Sequence, residues 1–190
     1  MKISIIIPVY NSSLTLNECL TAIFASSFKN YEVIIVSDNS LDDSIKIATK
    51  FNASIIELPK NKGPANARNV GAKIACGDIL LFIDSDVIIN VDSLNIVSNR
   101  FISDKVEAIQ GIYSHEPTYK SPVTQFYQSY LCYYVWPIDK DYASTLVTGC
   151  FAIKRATFNK FDGFDINIKN ASCEDEKFGY SLIKNGYKIL

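Results

Sequence analysis

The chain of 190 residues has little of what several kinds of protein require. It has one histidine, His115, and its five cysteines (Cys19, Cys76, Cys132, Cys150, Cys173) form no C-x-x-C pair. Neither a zinc knuckle nor a disulfide framework is therefore indicated. Free thiols packed in a reducing compartment are the plain reading, which points to the cytoplasm. Any metal would have to be held by oxygen, and that favours Mg2+ or Mn2+. Charge of one sign is also missing: 19 Lys+Arg stand against 20 Asp+Glu, a net −1. A protein that coats nucleic acid needs a strong basic excess, so that class is excluded. Long apolar runs are absent too. Ile3 to Val9 and Ile79 to Ile83 fall far short of the roughly 20 residues of a membrane span. The run near the N-terminus ends at Pro8 and reads as a strand, not a secretory signal.

What is present argues for a folded α/β domain. Hydrophobic residues make up 48% and charged ones 21%, enough for a sizeable core and too apolar for disorder. At roughly 150 residues per domain, the chain is one domain or one with an appendage. No internal repeat or low-complexity tract is visible. Strand-like and helix-like segments alternate, the pattern of a mainly parallel sheet covered by helices. Lys2–Val9 and Tyr31–Val36 read as buried strands, Ser54–Leu58 as a third, shorter strand and Ile79–Ile83 as a fourth. Helices are expected after Thr15, whose spacing to Glu18 suits a capping box, and over Asp42–Phe51 behind a Ser40 cap. Pro64 suits the first position of a helix running to about Ala75. Further helices are expected over Asp92–Phe101, from Ser121-Pro122 onward, and over Ser172–Asn185 with Gly186 as the stop. Val106–Ile112 and Thr145–Ile153 read as strands, Asn159–Asp165 as a loop, and Tyr187–Leu190 as the start of a strand.

In open α/β sheets, ligands collect beyond the carboxyl ends of the strands. Pro8-Val-Tyr-Asn11 follows the first strand; Asp38, Asn39, Ser40 and Asp42 follow the second; Asp84-Ser85-Asp86 follows the fourth. Carboxylates gathered at one edge without Lys or Arg between them repel each other. A divalent cation and the phosphates it carries relieve that repulsion. Two carboxylates spaced i, i+2, as in Asp84 and Asp86, reach one cation if the chain turns just past the strand; otherwise they are a polar turn. Arg68 and Asn69 lie on a helix whose inner face is Ala67, Val70, Gly71 and Ile74, so a solvated face competes with a ligand role. Ser172-Cys-Glu-Asp175 has the spacing of a helix N-terminus, where the dipole alone favours an acid. Thr148-Gly149-Cys150 interrupts a strand, where Gly149 either admits a ligand to the backbone or marks a bulge. His115 reads as a surface residue.

Several of these segments resemble the nucleotide-sugar glycosyltransferases of family 2, which have the GT-A fold. Ser4-Ile-Ile-Ile-Pro-Val-Tyr-Asn11 is similar to that family's opening, and Glu32-Val-Ile-Ile-Val-Ser-Asp-Asn-Ser-Leu-Asp42 to its "E-I-I-V-V-D-D-G-S-x-D". Asn61-Lys-Gly-Pro-Ala-Asn-Ala-Arg-Asn69 resembles "N-x-G-x-x-x-A-R-N", and Asp78-Ile-Leu-Leu-Phe-Ile-Asp-Ser-Asp86 resembles "G-x-x-x-x-F-L-D-x-D". Thr148-Gly-Cys150 with Glu174-Asp175 looks like its acceptor-side segment and "E-D" helix start. The segments come in family order. The resemblance implies a Rossmann-like, three-layer α/β/α domain over 1–190, with a donor half (1–100) and an acceptor half (101–190) that ends early. In that family the chain often continues with another metal or diphosphate contact.

The resemblance also implies roles. Pro8, Tyr10 and Asn11 would line the nucleotide pocket beside Ser85, Asp38 would bond the base edge, and Arg68 would sit near the nucleotide end. Asp84 would face the ribose or the metal's waters, Asp86 would bind Mn2+ or Mg2+ on the diphosphate, and Asp175 would be the general base, with Glu174 as its neighbouring alternative. Thr148, Gly149 and Cys150 would lie on the acceptor side. Ser37, Asn39 and Val87 depart from the family pattern without removing a matched carboxylate. The donor would be a nucleotide-diphosphate sugar, UDP-linked by expectation, and the acceptor a glycan or lipid-linked sugar. The Phe126–Trp136 stretch has helix period and reads as a buried face. Tyr133 and Trp136 fall outside its stripe and suit sugar stacking or a membrane interface, hence peripheral association at the inner face of the membrane. Two alternatives stand beside transfer: a nucleotide-sugar-binding fragment without turnover, and a phosphatase of the haloacid-dehalogenase type, because Phe82-Ile-Asp-Ser-Asp-Val-Ile88 also resembles that family's nucleophile loop.

Overall fold

The computed structural model describes residues 1–104, 106–114, 121–130, 143, 146–168 and 173–190, with the backbone alone at 127–130. The expectations for His115, Cys132, Tyr133, Trp136 and the Ser172 cap lie outside these residues.

Six strands form one sheet in the order β3-β2-β1-β4-β6-β5. Their spans are β1 Ile3–Val9, β2 Tyr31–Ser37, β3 Ser54–Glu57, β4 Ile79–Ile83, β5 Ala108–Gln110 and β6 Cys150–Lys154. The first four are parallel, and β6 runs antiparallel to both β4 and β5. The chain's last residues continue the β5 edge through a parallel bridge between Ala108 and Ile189.

Side-chain alternation divides the core between two faces. Ile3, Ile5, Ile7, Val33, Ile35, Leu81 and Ile83 pack under α1 (Leu16–Phe24), α2 (Ser44–Ala48) and α4 (Ser93–Ser103). Ile6, Ile34, Val36, Leu80 and Phe82 face α3 (Pro64–Ile74), α6 (Arg155–Lys160) and α7 (Glu174–Lys184). Strands covered on both faces need apolar residues at nearly every position, which is why β4 reads as an unbroken run and β1 as one interrupted only by Ser4. The expected three-layer α/β/α arrangement is present. Helix α3 comes very close to the sheet: a Cβ at Gly71 would stand 2.5 Å from Ile6 Cγ2. At the end of α7, Gly186 takes φ +80°. Its N–H reaches the Ile183 carbonyl at 2.9 Å and the Tyr187 N–H reaches Leu182 at 3.1 Å, the paired bonds of a Schellman stop.

Some expected elements differ. The helix expected over Asp42–Phe51 is only Ser44–Ala48. Ser40 does not cap it; its hydroxyl accepts from the Asn11 N–H (3.2 Å) and from the Ser37 hydroxyl (3.1 Å). Thr15 precedes α1 without a side-chain capping bond. Strand β6 starts at Cys150, five residues later than expected, and a short helix, α6, follows it directly. In α5 (Pro122–Tyr130) Val123 and Phe126 are 76% and 75% exposed, so the buried face expected there is not buried at these two positions. The period of an apolar stripe fixes where it lies on a helix, not what covers it. No described helix is long and apolar enough to cross a membrane.

Candidate active site

The sheet opens at one rim. The β1–β2 ladder runs to Val9↔Ser37, but the β1–β4 ladder stops at Ile6↔Phe82. Pro8, just beyond, has no N–H to donate, so it does not extend this ladder. The crevice lies at the carboxyl ends of parallel strands and is a cleft of about 920 Å³. Pro8, Tyr10, Asn11, Asp38, Arg68, Asp84, Ser85, Asp86, Thr148, Glu174 and Asp175 all line it. The structure thus brings together nearly every residue singled out in the sequence. Gly149 and Cys150 sit just behind, where a Cβ on Gly149 would come 3.2 Å from the Tyr113 hydroxyl.

The loops after β1 and β2 are fastened to each other. The Asn11 side chain accepts from the Leu41 N–H at 2.8 Å, and the Ser12 N–H donates to the Ser44 hydroxyl at 2.8 Å. Asp42 receives the Ser13 N–H (2.8 Å), the Ser44 N–H (3.0 Å) and the Ser44 hydroxyl. Burial pushes the Asp42 carboxyl up, but the bonds from Ser44 and Ser13 outweigh it and hold it down at about 2. Asn11 and Asn39 take φ +50° and +62°. Asparagine tolerates this left-handed region better than other non-glycine residues, so Asn11 and Asn39 adopt it readily. Across the crevice the Ser85 hydroxyl bonds that of Ser12 at 2.8 Å.

Asp38 is buried, and its carboxylate accepts the N–H groups of Lys62 (2.8 Å) and Gly63 (2.7 Å). It thereby ties the end of β2 to the turn before α3.

On the other side of the crevice four links close a ring. The Asp84 N–H donates to the Gly149 carbonyl at 3.1 Å. One residue back, the Thr148 N–H donates to Asp175 Oδ2 at 3.2 Å. Glu174, next to Asp175, accepts from Arg68 Nη1 at 3.0 Å. The other terminal nitrogen of Arg68 returns to Asp84 Oδ1 at 2.7 Å. The segments after β4, before β6 and at the start of α7 are thus fixed to one another.

Arg68 corrects one expectation from the sequence. The rim carboxylates do have a cation between them, and Arg68 is buried rather than on a solvated face, with a side chain 4% exposed. It belongs to the buried stripe of α3 with Ala65, Gly71 and Ala72. Its guanidinium stands 5.8 Å from the centre of the Phe164 ring. Its Nε is the buried side-chain nitrogen without a hydrogen-bond partner among the described residues, a deficit of about 1–3 kcal/mol. The neighbouring Asn69 donates to the Phe164 carbonyl (2.7 Å) and accepts its N–H (2.9 Å). Neither pairing has a local signal, but the i+3, i+4 spacing of Arg68 within a small-residue stripe marks its burial.

Two thiols lie beneath Asp84. Cys19 Sγ is 3.7 Å from the Asp84 carbonyl. Burial, then the Asp86 and Asp84 carboxylates, push the Cys19 thiol up to about 12; burial and Asp84 push Cys150 up to about 11. Both stay protonated at neutral pH and act as packing, not as nucleophiles. Asp86 is exposed in the cleft and accepts no hydrogen bond among the described residues. Among those residues no group of three His, Cys, Asp or Glu side chains is placed to hold a metal ion.

A mainly parallel α/β/α sheet with its cleft at the β1/β4 opening is the GT-A arrangement. The profile of "Glycosyl transferase family 2" matches residues 4–161, and the chain belongs to that family. The phosphatase reading of Phe82–Ile88 falls with it. An uncharacterised glycosyltransferase of Haemophilus influenzae is 36% identical over 117 residues, 59% of this chain and 47% of that one. The poly(ribitol-phosphate) beta-N-acetylglucosaminyltransferase TarS of Staphylococcus aureus is 38% identical over 101 residues, 50% of this chain and 18% of TarS. The crystal structure of TarS 1-349 in complex with UDP superposes with TM-score 0.80 at 25% identity, covering 100% of this chain and 58% of that one. The mannosyltransferase PcManGT of Pyrobaculum calidifontis, in complex with GDP-Man and Mn2+, shares the fold at TM-score 0.75 and 18% identity, covering 100% of this chain and 54% of that one. The chain therefore spans half or less of the curated relatives it matches.

Proposed function

We propose that this chain carries the donor site and the base of an inverting glycosyltransferase that moves a sugar from a nucleotide diphosphate, UDP by preference, to a hydroxyl of a glycan or lipid-linked sugar. The observation that carries the reading is the ring itself, which ties the Asp84-Ser85-Asp86 turn and Asp175 together at one cleft. The two relatives named for transfer and the UDP complex of TarS support it.

In this reading Pro8, Tyr10 and Asn11 flank the nucleotide and Asp38 takes the base edge. Asp84 faces the ribose, and Ser85 helps shape the turn. Asp86 fits a Mg2+ or Mn2+ that arrives with the diphosphate. It is a hard oxygen donor with no other described partner, and a single carboxylate suits an ion that keeps waters and phosphate oxygens as its remaining ligands. Bound there, the ion would stabilise charge on the leaving diphosphate. The Mn2+ complex of PcManGT supports the metal only by fold analogy. Thr148, Gly149 and Cys150 stand on the acceptor side.

The incoming hydroxyl is far too weak an acid to react at neutral pH without a base. Asp175 stands at the mouth of the cleft with each oxygen already oriented, Oδ2 by the Thr148 N–H and Oδ1 by the Glu176 N–H at 2.8 Å. Such a carboxylate takes the proton as the hydroxyl attacks the anomeric carbon on the face opposite the diphosphate, and the configuration inverts. Glu174 is tied to Arg68 and is the weaker choice. Calorimetry with UDP, with and without Mn2+, followed by turnover of UDP-sugars, tests the reading. Nucleotide binding that needs Asp86 and transfer that needs Asp175 are expected. A chain that ignores UDP in both conditions would refute it.

A further inference from the structure

The geometry points to Arg68 as a positioning residue that sets where the Asp175 carboxylate stands relative to Asp84, and not as a ligand of the donor. This rests on the transfer reading above. Both terminal nitrogens of its guanidinium are engaged by carboxylates of distant elements, Asp84 after β4 and Glu174 at the start of α7. Glu174 is 106 residues away in sequence and its side chain is 6% exposed, so without Arg68 it would be a buried charge with no counterion among the described residues. It would leave that position and take the first turn of α7, and with it Asp175, along.

The rest of the structure fits a strut. Helix α3, which carries Arg68, is seated on β1 through the close contact at Gly71. Asn69, the next residue, grips the Phe164 backbone from both sides and fixes the loop after α6. Gly163, at φ +78°, lets that loop come in; a Cβ there would stand 2.5 Å from Asn69 Oδ1. Two consecutive side chains of α3 therefore reference both the loop after α6 and the first turn of α7 to the sheet. Asp175 in turn holds the Thr148 N–H, and Gly149 holds Asp84. A base must sit within hydrogen-bond reach of the attacking hydroxyl, and a displacement of about 1 Å costs on the order of 10²-fold in rate.

The test uses the 190-residue chain with Arg68→Met, Glu174→Gln and the double variant. It reads kcat and KM for a UDP-sugar, Kd for UDP with Mg2+, and hydrogen exchange of the Thr148 amide. Arg68→Met is expected to lower kcat on the order of 10²-fold while UDP Kd and donor KM stay within about threefold. Exchange at Thr148 should speed up about tenfold or more as its acceptor moves. The double variant should recover about tenfold of the lost kcat, because no buried charge is left unpaired. A UDP Kd raised more than about tenfold in Arg68→Met would place the role of Arg68 at the donor rather than at Asp175 and overturn the proposal. So would unchanged Thr148 exchange, or a loss that the double variant does not relieve. If the parent neither binds UDP nor turns over, the transfer reading has failed by itself. Thr148 exchange then decides alone: faster in Arg68→Met supports the strut, and equal rates refute it.

Discussion

The two ends of the sheet treat their acids differently. At the amino-end rim each carboxylate has its own partners. Glu32 takes Lys2, the Ser4 hydroxyl and the Cys76 N–H, and Glu107 takes Lys154 and the Thr157 hydroxyl. Burial pushes both glutamates up, but these bonds outweigh it and leave both below their ordinary value. At the carboxyl-end rim one buried guanidinium serves Asp84 and Glu174 together, while Asp86 and Asp175 face the cleft. Among the described residues Glu32 and Glu107 each pair with a lysine, whereas Asp86 and Asp175 have no ion-pair partner. In the proposed transfer reading, a cation-bearing ligand would complete these acids at the cleft.

Substitutions can break that contrast. The largest effect is expected at the open rim. Asp175→Asn keeps the shape and removes the base, so transfer should fall about 10²–10⁴-fold with UDP affinity intact. Measured turnover close to the parent's would assign the proton to another group. Asp86→Ala should erase the Mn2+ dependence of UDP binding seen by calorimetry; the same affinity gain with Mn2+ in variant and parent would remove Asp86 from the ion. Between the rims, Gly71→Ala forces a methyl against Ile6 and should cost about 1–3 kcal/mol in chemical denaturation. A neutral result would show that α3 slides freely on β1. Glu32→Ala at the amino-end rim should cost about 1–3 kcal/mol and leave UDP binding alone, since it removes the acceptor of the buried Ser4 hydroxyl. Acid gives the smallest effect. Carboxyls held below their ordinary values stabilise the fold above those values and stop doing so as pH falls through the lowered ones. The Glu32 and Glu107 contributions should fade below pH 4.5, and that of Asp42 between 3.8 and about 2. Melting temperatures that rise on acidification would contradict these assignments.

The sequence was most readable where burial is complete. Strand β4 has the bounds expected from its apolar run, and β1 and β2 differ by one residue, because a strand covered on both faces has few polar positions to blur it. The short α2 was overestimated because the Asp42 side chain takes up the loop's N–H groups, a local competition that hydrophobic period does not register. Helix α6 was missed between the strand expected to end at Ile153 and the loop expected from Asn159, since six residues hold too little period to read. The lining of the cleft was legible through residues that follow strand ends. The Arg68 link was not, because its two partners lie 16 and 106 residues away and only the folded sheet brings them together.

The cysteines sort by reactivity along the same axis. Cys19, protonated to about pH 12 and buried below Asp84, is out of reach of alkylating reagents, whereas Cys173 is exposed one residue before Glu174. With Cys76 and Cys132 changed to serine, a maleimide dye would therefore report from the lip of the cleft, and quenching of its fluorescence would signal occupancy without a radioactive sugar.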